Sequence, residues 1–175
     1  MKSTEVYSVI RQVLAPWCKE QGFKRTEGGM LGWYKPFGDQ FIVFWFQVSR
    51  DGWDKYACSK FILEFQVSAK PVIGAGHQRW RLPKFLNADE LEHVRRMQNV
   101  VIAKLEKPDR GYYIFQLGDD VVKWYLAKFH LVHERYSSTD DIWLRYKDRE
   151  DVERWAVFVK GVLPKVIGLL SARAS

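Results

Sequence analysis

The sequence predicts an α+β fold: an antiparallel sheet of four to six strands with amphipathic helices packed on one face. Three observations predict it. Residues 41–48 and 61–67 read as two strong β-strands. Apolar stripes with helical spacing lie near both ends of the chain. Aromatic residues are abundant, with 8 Trp, 8 Tyr and 11 Phe among 175 residues, which supplies a large core to bury.

Taken in order, Ser3 or Thr4 caps a first helix whose residues Val6, Ile10, Val13, Leu14 and Trp17 share a face. Pro16 predicts a bend in it, because its ring meets the carbonyl four residues back, and Gly22 predicts its end. Gly28 and Gly29 lead into a short strand over 30–35, and Pro36, Phe37, Gly38 and Asp39 read as a turn. The run 40–49 is almost continuously apolar, so its strand is expected to be covered on both faces. Asp51 and Gly52 make the next turn. Phe61, Leu63, Phe65 and Val67 then alternate with Glu64, Gln66 and Ser68, which predicts one buried face and one that is wetter or polar-lined.

Residues 70–86 read as a long loop. Asn87 and Glu90 have capping spacing and open a helix bearing Leu91, Val94, Met97, Val101 and Leu105, which residues 107–111 stop. A strand over 112–117 and a helix from Asp119 to about Phe129 follow, although the same residues also fit strands. Residues 142–147 read as a strand. Asp148 caps a last helix carrying Val152, Trp155, Ala156, Val159, Leu163, Val166 and Leu170, which Gly161 and Pro164 are expected to kink or split. No repeat or linker interrupts residues 1–175, so a single domain is expected.

The formal net charge is +7, and residues 1–88 carry 13 Lys and Arg against 7 Asp and Glu. This excess is spread thinly, which suits a solvated surface, although a basic half also favours acidic partners or nucleic acid. Cys18 and Cys58 do not make a disulfide framework. There is no leader pattern and no apolar run near 18 residues, so the expectation is a cytoplasmic protein with free thiols and no membrane span.

Two constellations stand out as candidate binding sites. Gln47, Ser49 and Arg50 close one strong strand, and Gln66 and Ser68 close the other. If both triplets lie at one sheet end, their donors suit a carboxylate, a phosphate or a peptide backbone. The plainer reading is that they satisfy nearby backbone groups. Arg79, Trp80 and Arg81 lie in the long loop near Lys70 and Lys84, where they suit phosphate clamping and base stacking. The plainer reading there is a Trp anchor between solvated arginines. His130 and His133 would share a helix face, but neither they nor His77 and His93 come with a third metal ligand, so no metal and no cofactor is expected. Gly74 and Gly76 lack the third glycine of a dinucleotide loop, and no nucleophile has a base at a recognisable spacing.

The stretch from Leu14 through Pro16 to Gly22, Phe23, Lys24 and Arg25 resembles a family signature. Trp33 and Tyr34, Asp39, the strand ending Phe46-Gln47-Val48-Ser49-Arg50 and the strand 61–67 follow in the same order. Over about residues 10–70 the chain is similar to the bacterial family catalogued as domain of unknown function 4304. A weaker echo lies at Ile142, Trp143 and the helix after Asp148. The resemblance implies a compact α+β domain and carries no catalytic residues over.

The residues favour a non-enzymatic binding module, for example a small bacterial protein that neutralises or regulates a partner protein. The alternatives are nucleic-acid binding through the basic N-terminal half and an enzyme with a cleft around Gln47, Arg50 and Gln66, with Glu64 beside them.

Overall fold

A computed structural model of the protein describes residues 1–76, 78–106, 116–127 and 135–174. Helix α1 spans Ser3–Glu20 and the hairpin strands are β1 Lys24–Arg25, β2 Leu31–Phe37, β3 Gln40–Val48 and β4 Ser59–Ser68. After β5, Trp80–Arg81, come a 3₁₀ turn at Leu82–Phe85, α2 Ala88–Ala103, α3 Asp119–Ala127, β6 Leu144–Tyr146 and α4 Arg149–Ala174. The sheet is antiparallel throughout, in the order β1-β2-β3-β4-β5, and β6 also pairs with β4. Strands β5 and β6 therefore share one edge of β4: β6 along Ser59–Phe61, and β5 at Glu64 and Phe65.

Helices α1 and α4 build one core with Leu31 and Trp33 of β2, Ile42, Phe44 and Phe46 of β3, and Phe61, Leu63 and Phe65 of β4. The stripe expected on α4 is the one used, because Val152, Trp155, Ala156, Val159, Leu163, Val166 and Leu170 are all fully buried. Helix α4 is continuous through Gly161 and Pro164, so it is not split there, and α1 likewise continues through Pro16. Each proline faces solvent, as do Gln12 and Lys160 four residues earlier, so the carbonyl that the proline leaves without a donor is on the side open to water. By length and composition α4 is also long and apolar enough to cross a bilayer, although charged residues interrupt its apolar sequence. Its apolar stripe is packed on the sheet.

Strand β3 is covered on both faces, as its composition demands: Ile42 to Phe46 are all at most 1% exposed. For β4 the expectation is corrected. Ile62, Glu64 and Gln66 are as buried as Phe61, Leu63 and Phe65, so the polar residues of its second face are not wet. The β2–β3 turn also differs, because β2 continues through Pro36 to Phe37, which pairs with Gln40 across Gly38 and Asp39. Gly38 has a φ of 55°, which suits a two-residue hairpin turn. Pro36 is tolerated because β1 pairs only with Trp33 and Tyr34 and leaves that part of the edge without a partner.

The capping box at Asn87 and Glu90 forms as the spacing predicts, with Glu90 N donating to Asn87 Oδ1 at 2.9 Å and Asn87 N to Glu90 Oε2 at 2.8 Å. At the start of α4, Asp151 N donates to Asp148 Oδ1 at 3.0 Å. Helix α3 is described over Asp119–Ala127, and the rest of the expected helix to about Phe129 lies outside the described residues. The strand expected over 112–117, the helix stop at 107–111, and His77, His130 and His133 lie wholly or mostly outside the described residues.

Candidate functional site

The sheet face turned away from α1 and α4 carries the polar groups. Across it, Gly32 stands opposite Trp45, Trp45 opposite Glu64, and Glu64 opposite Arg81. Among the described residues, three buried side-chain atoms have no hydrogen-bond partner: Thr26 Oγ1, Trp45 Nε1 and Glu64 Oε2. Trp45 and Glu64 belong to this row, and Thr26 borders it, since its Oγ1 would lie 2.9 Å from a Cβ built on Gly32. Buried polar atoms without partners are rare, and here three lie on or beside one row.

Register separates the two Gln-Val-Ser triplets, correcting the expectation that they share one sheet end. Gln47 lies opposite Ile62, and Gln66 lies opposite Val43. Four residues of antiparallel strand, roughly 13 Å, divide them. Arg50 is an exposed turn residue beyond β3. Gln47, Arg50 and Gln66 therefore do not line one cleft, and an enzyme reading built on their convergence loses its geometry. Ser49 Oγ accepts from Asp51 N at 3.2 Å and lines a small pocket of about 30 Å³ with Lys60 and Arg145.

Gln66 and Ser68 do what the plainer reading expects. Gln66 Nε2 donates to Val72 O at 2.6 Å, Gly74 N donates to Gln66 Oε1 at 2.9 Å, and Ser68 Oγ donates to Lys70 O at 2.7 Å. They pin the loop after β4 against the second face. Gly76 lets it lie close, since a Cβ there would stand 2.9 Å from Val67 O and 3.2 Å from Gln66 Cβ.

This loop delivers Arg79, whose guanidinium lies 5.2 Å from the Trp45 ring centroid. Arg81 Nε donates to Glu64 Oε1 at 3.2 Å, and Arg81 Nη1 bonds Asp141. Trp80 stands opposite Phe65, and its side chain packs against the helical core. The Arg-Trp-Arg triplet is thus divided between the two faces, because successive strand residues point opposite ways. Arg79, Trp80, Arg81, Lys84, Glu64 and residues 138–141 line a cleft of about 520 Å³, within the usual range for a ligand site. Glu64 belongs to this lining, is 3% exposed, and holds its unpartnered Oε2 buried beneath the cleft surface.

A second pocket, of about 200 Å³, adjoins it along the same edge of β4 and shares Asp140 and Asp141 with it. Arg145 of β6 lines this pocket and stands opposite Lys60 of β4. Sequence reasoning missed Arg145. The signal available is the alternation of buried Ile142, Leu144 and Tyr146 with Trp143, Arg145 and Lys147, which puts a cation in mid-strand. Its position is fixed by Gln98 of α2, whose side chain serves as a substitute strand: Gln98 Nε2 donates to Trp143 O at 2.6 Å, and Arg145 N donates to Gln98 Oε1 at 3.0 Å.

Neither cysteine is primed as a nucleophile. Burial pushes the Cys18 thiol up to about 12, against a small opposing pull from Arg25. It also raises Cys58, despite the neighbouring Arg145. His93 stacks on Phe158, 5.3 Å between ring centroids, among the helices. No group of three or more metal-ligating side chains occurs among the described residues.

Fold and cleft together define an α+β protein with a mixed-charge groove on the sheet face opposite its two long helices. No protein family, no curated protein and no solved structure matches this chain.

Proposed function

We propose that the chain is a non-enzymatic binding module that grips a segment of a partner protein in the cleft lined by Glu64, Arg79, Arg81 and Lys84. The observation that carries this reading is Glu64: a buried carboxylate with one oxygen unpartnered, set in the lining of a solvent-open cleft. A peptide supplies both complements that such a lining needs. Its N–H groups suit the carboxylates of the lining, and its carbonyls and acidic side chains accept from the surrounding cations. A polyanion fits less well, because Glu64, Asp140 and Asp141 place negative charge among the cations and the Trp80 ring is turned to the core. The bacterial, cytoplasmic setting and the resemblance over residues 10–70 belong to the same proposal. Two buried free thiols support a reducing compartment.

The test is affinity capture from the native lysate with tagged wild type and a double variant, Arg79→Glu with Lys84→Glu. Both residues are exposed, so the fold is expected to survive. A discrete protein retained by wild type after nuclease treatment, and lost by the variant, is expected. A nuclease-sensitive pool, or equal retention by both chains, would count against this function.

A further inference from the structure

We propose that Arg145, with Lys60 opposite it, forms a binding site for a compact oxyanion, a phosphate or carboxylate group, in the pocket beneath β6. This site is separate from the Glu64 cleft and does not depend on what that cleft binds.

Arg145 is 5% exposed, yet no carboxylate stands within ion-pair distance of its guanidinium among the described residues. Its side chain donates one hydrogen bond to backbone, from Nη1 to Ala57 O at 3.2 Å, and it also stands beside the Cys58 thiol. A guanidinium has five N–H donors, and neither of these contacts supplies the negative charge that would balance it. Burying a cation in this state is unfavourable unless something anionic completes it.

The register sharpens the point. Arg145 and Lys60 are directly opposed on neighbouring strands, and like charges in that position repel. Lys60 is partly offset by Asp51 at 3.2 Å and lies 5.6 Å from the Trp143 ring centroid. Two carboxylates, Asp140 and Asp141, also line this pocket, and a third, Asp54, stands near Arg145; each has a partner of its own. Asp141 is bonded to Arg81, Asp140 Oδ2 accepts from Ser137 N at 2.7 Å, and Asp54 Oδ1 accepts from Tyr56 N and Ala57 N at 2.7 and 2.8 Å.

The backbone next to Arg145 is also strained. Cys58 is the one described non-glycine residue with positive φ, at 56°, and it follows Ala57, whose carbonyl accepts from Arg145. Such conformations concentrate at functional sites. The pocket holds about 200 Å³, the bulk volume of roughly seven waters, which suits a compact anion better than a nucleotide. A bidentate guanidinium is the group that matches two oxygens of a phosphate or carboxylate.

The test is thermal unfolding, with calorimetric titration, of wild type, Arg145→Lys and Arg145→Met in inorganic phosphate or acetate against chloride at matched ionic strength. Wild type is expected to show a saturable rise in Tm with at least one oxyanion. The anion that acts tells phosphate from carboxylate. Arg145→Lys is expected to weaken the response at least tenfold, and Arg145→Met to abolish it. The Arg79→Glu and Lys84→Glu variant is expected to respond like wild type, which separates this site from the neighbouring cleft. No saturable shift and no binding heat with either anion on wild type would overturn the proposal, even if a variant fails to fold. An undiminished response in Arg145→Met would also overturn it.

Discussion

Replacing Gln98 with Leu removes the amide that closes the free side of β6. Gln98 is 2% exposed and bridges two backbone groups, Trp143 O at 2.6 Å and Arg145 N at 3.0 Å. Leu fills a similar space and leaves both groups buried without partners. Each such group costs about 1–3 kcal/mol, so the gross loss is about 2–6 kcal/mol. Burying the Leu side chain returns about 1.5–3 kcal/mol. A net loss of about 2 kcal/mol is therefore expected. For a chain of this length it lowers Tm by roughly 4–8 °C. Circular dichroism melts with parallel urea titrations measure it, and an unchanged m-value would show that the denatured state is not the cause. Because β6 carries Arg145, the oxyanion response is expected to weaken in the same variant. A loss under about 0.5 kcal/mol, with the Arg145 amide still protected from hydrogen exchange, would refute the reasoning.

Three further outcomes follow from the geometry. Gly32→Ala is expected to cost about 1–3 kcal/mol in a urea titration, because its Cβ would meet Phe44 O at 2.8 Å and Trp45 Cβ at 2.9 Å. An unchanged midpoint would contradict this. Cys18, held up to about 12 by burial, is expected to resist alkylation in the native protein at pH 8. About one thiol in ten thousand is then ionised, so rapid native labelling read by mass spectrometry would be inconsistent with the packing. Burial raises the Asp148 carboxyl, but the Asp151 N–H and the Lys104 ammonium at 3.2 Å outweigh it and hold it below its ordinary value. A depressed carboxyl contributes stability above its unfolded pKa and loses it as pH falls through the folded value, so the loss is expected below about pH 4. With the Asp148 side chain 46% exposed, the contribution stays under about 1 kcal/mol. Asp148→Asn is expected to flatten the acid limb of Tm against pH, and an unchanged slope would exclude the pairing.

Local features were legible in the sequence wherever one element decides them. The stripe from Val152 to Leu170, the capping box at Asn87 and the two-sided burial of β3 depend on spacing within one segment. Features set by distant pairing were not. Alternating Glu64, Gln66 and Ser68 look solvent-facing until the following loop folds onto them. The two Gln-Val-Ser triplets look like one site until antiparallel register sends them apart. Arg145 looks like an ordinary strand cation until β6 joins the edge of β4 opposite Lys60. Of the candidate site residues, Arg79 and Arg81 reach the cleft through side chains on its face, while Trp80 anchors to the core as its place in the strand alternation requires.

The most direct test of the binding reading is site-specific photo-crosslinking in the native lysate. A photoreactive residue at Lys84 reports on the cleft, and one at Val157, exposed on the outer side of α4, reports on the opposite side of the core. A discrete crosslinked protein at position 84, resistant to nuclease and absent at position 157, is the result expected. A nucleic-acid adduct at position 84, or the same protein captured equally from both positions, would contradict a partner seated in the Glu64 cleft.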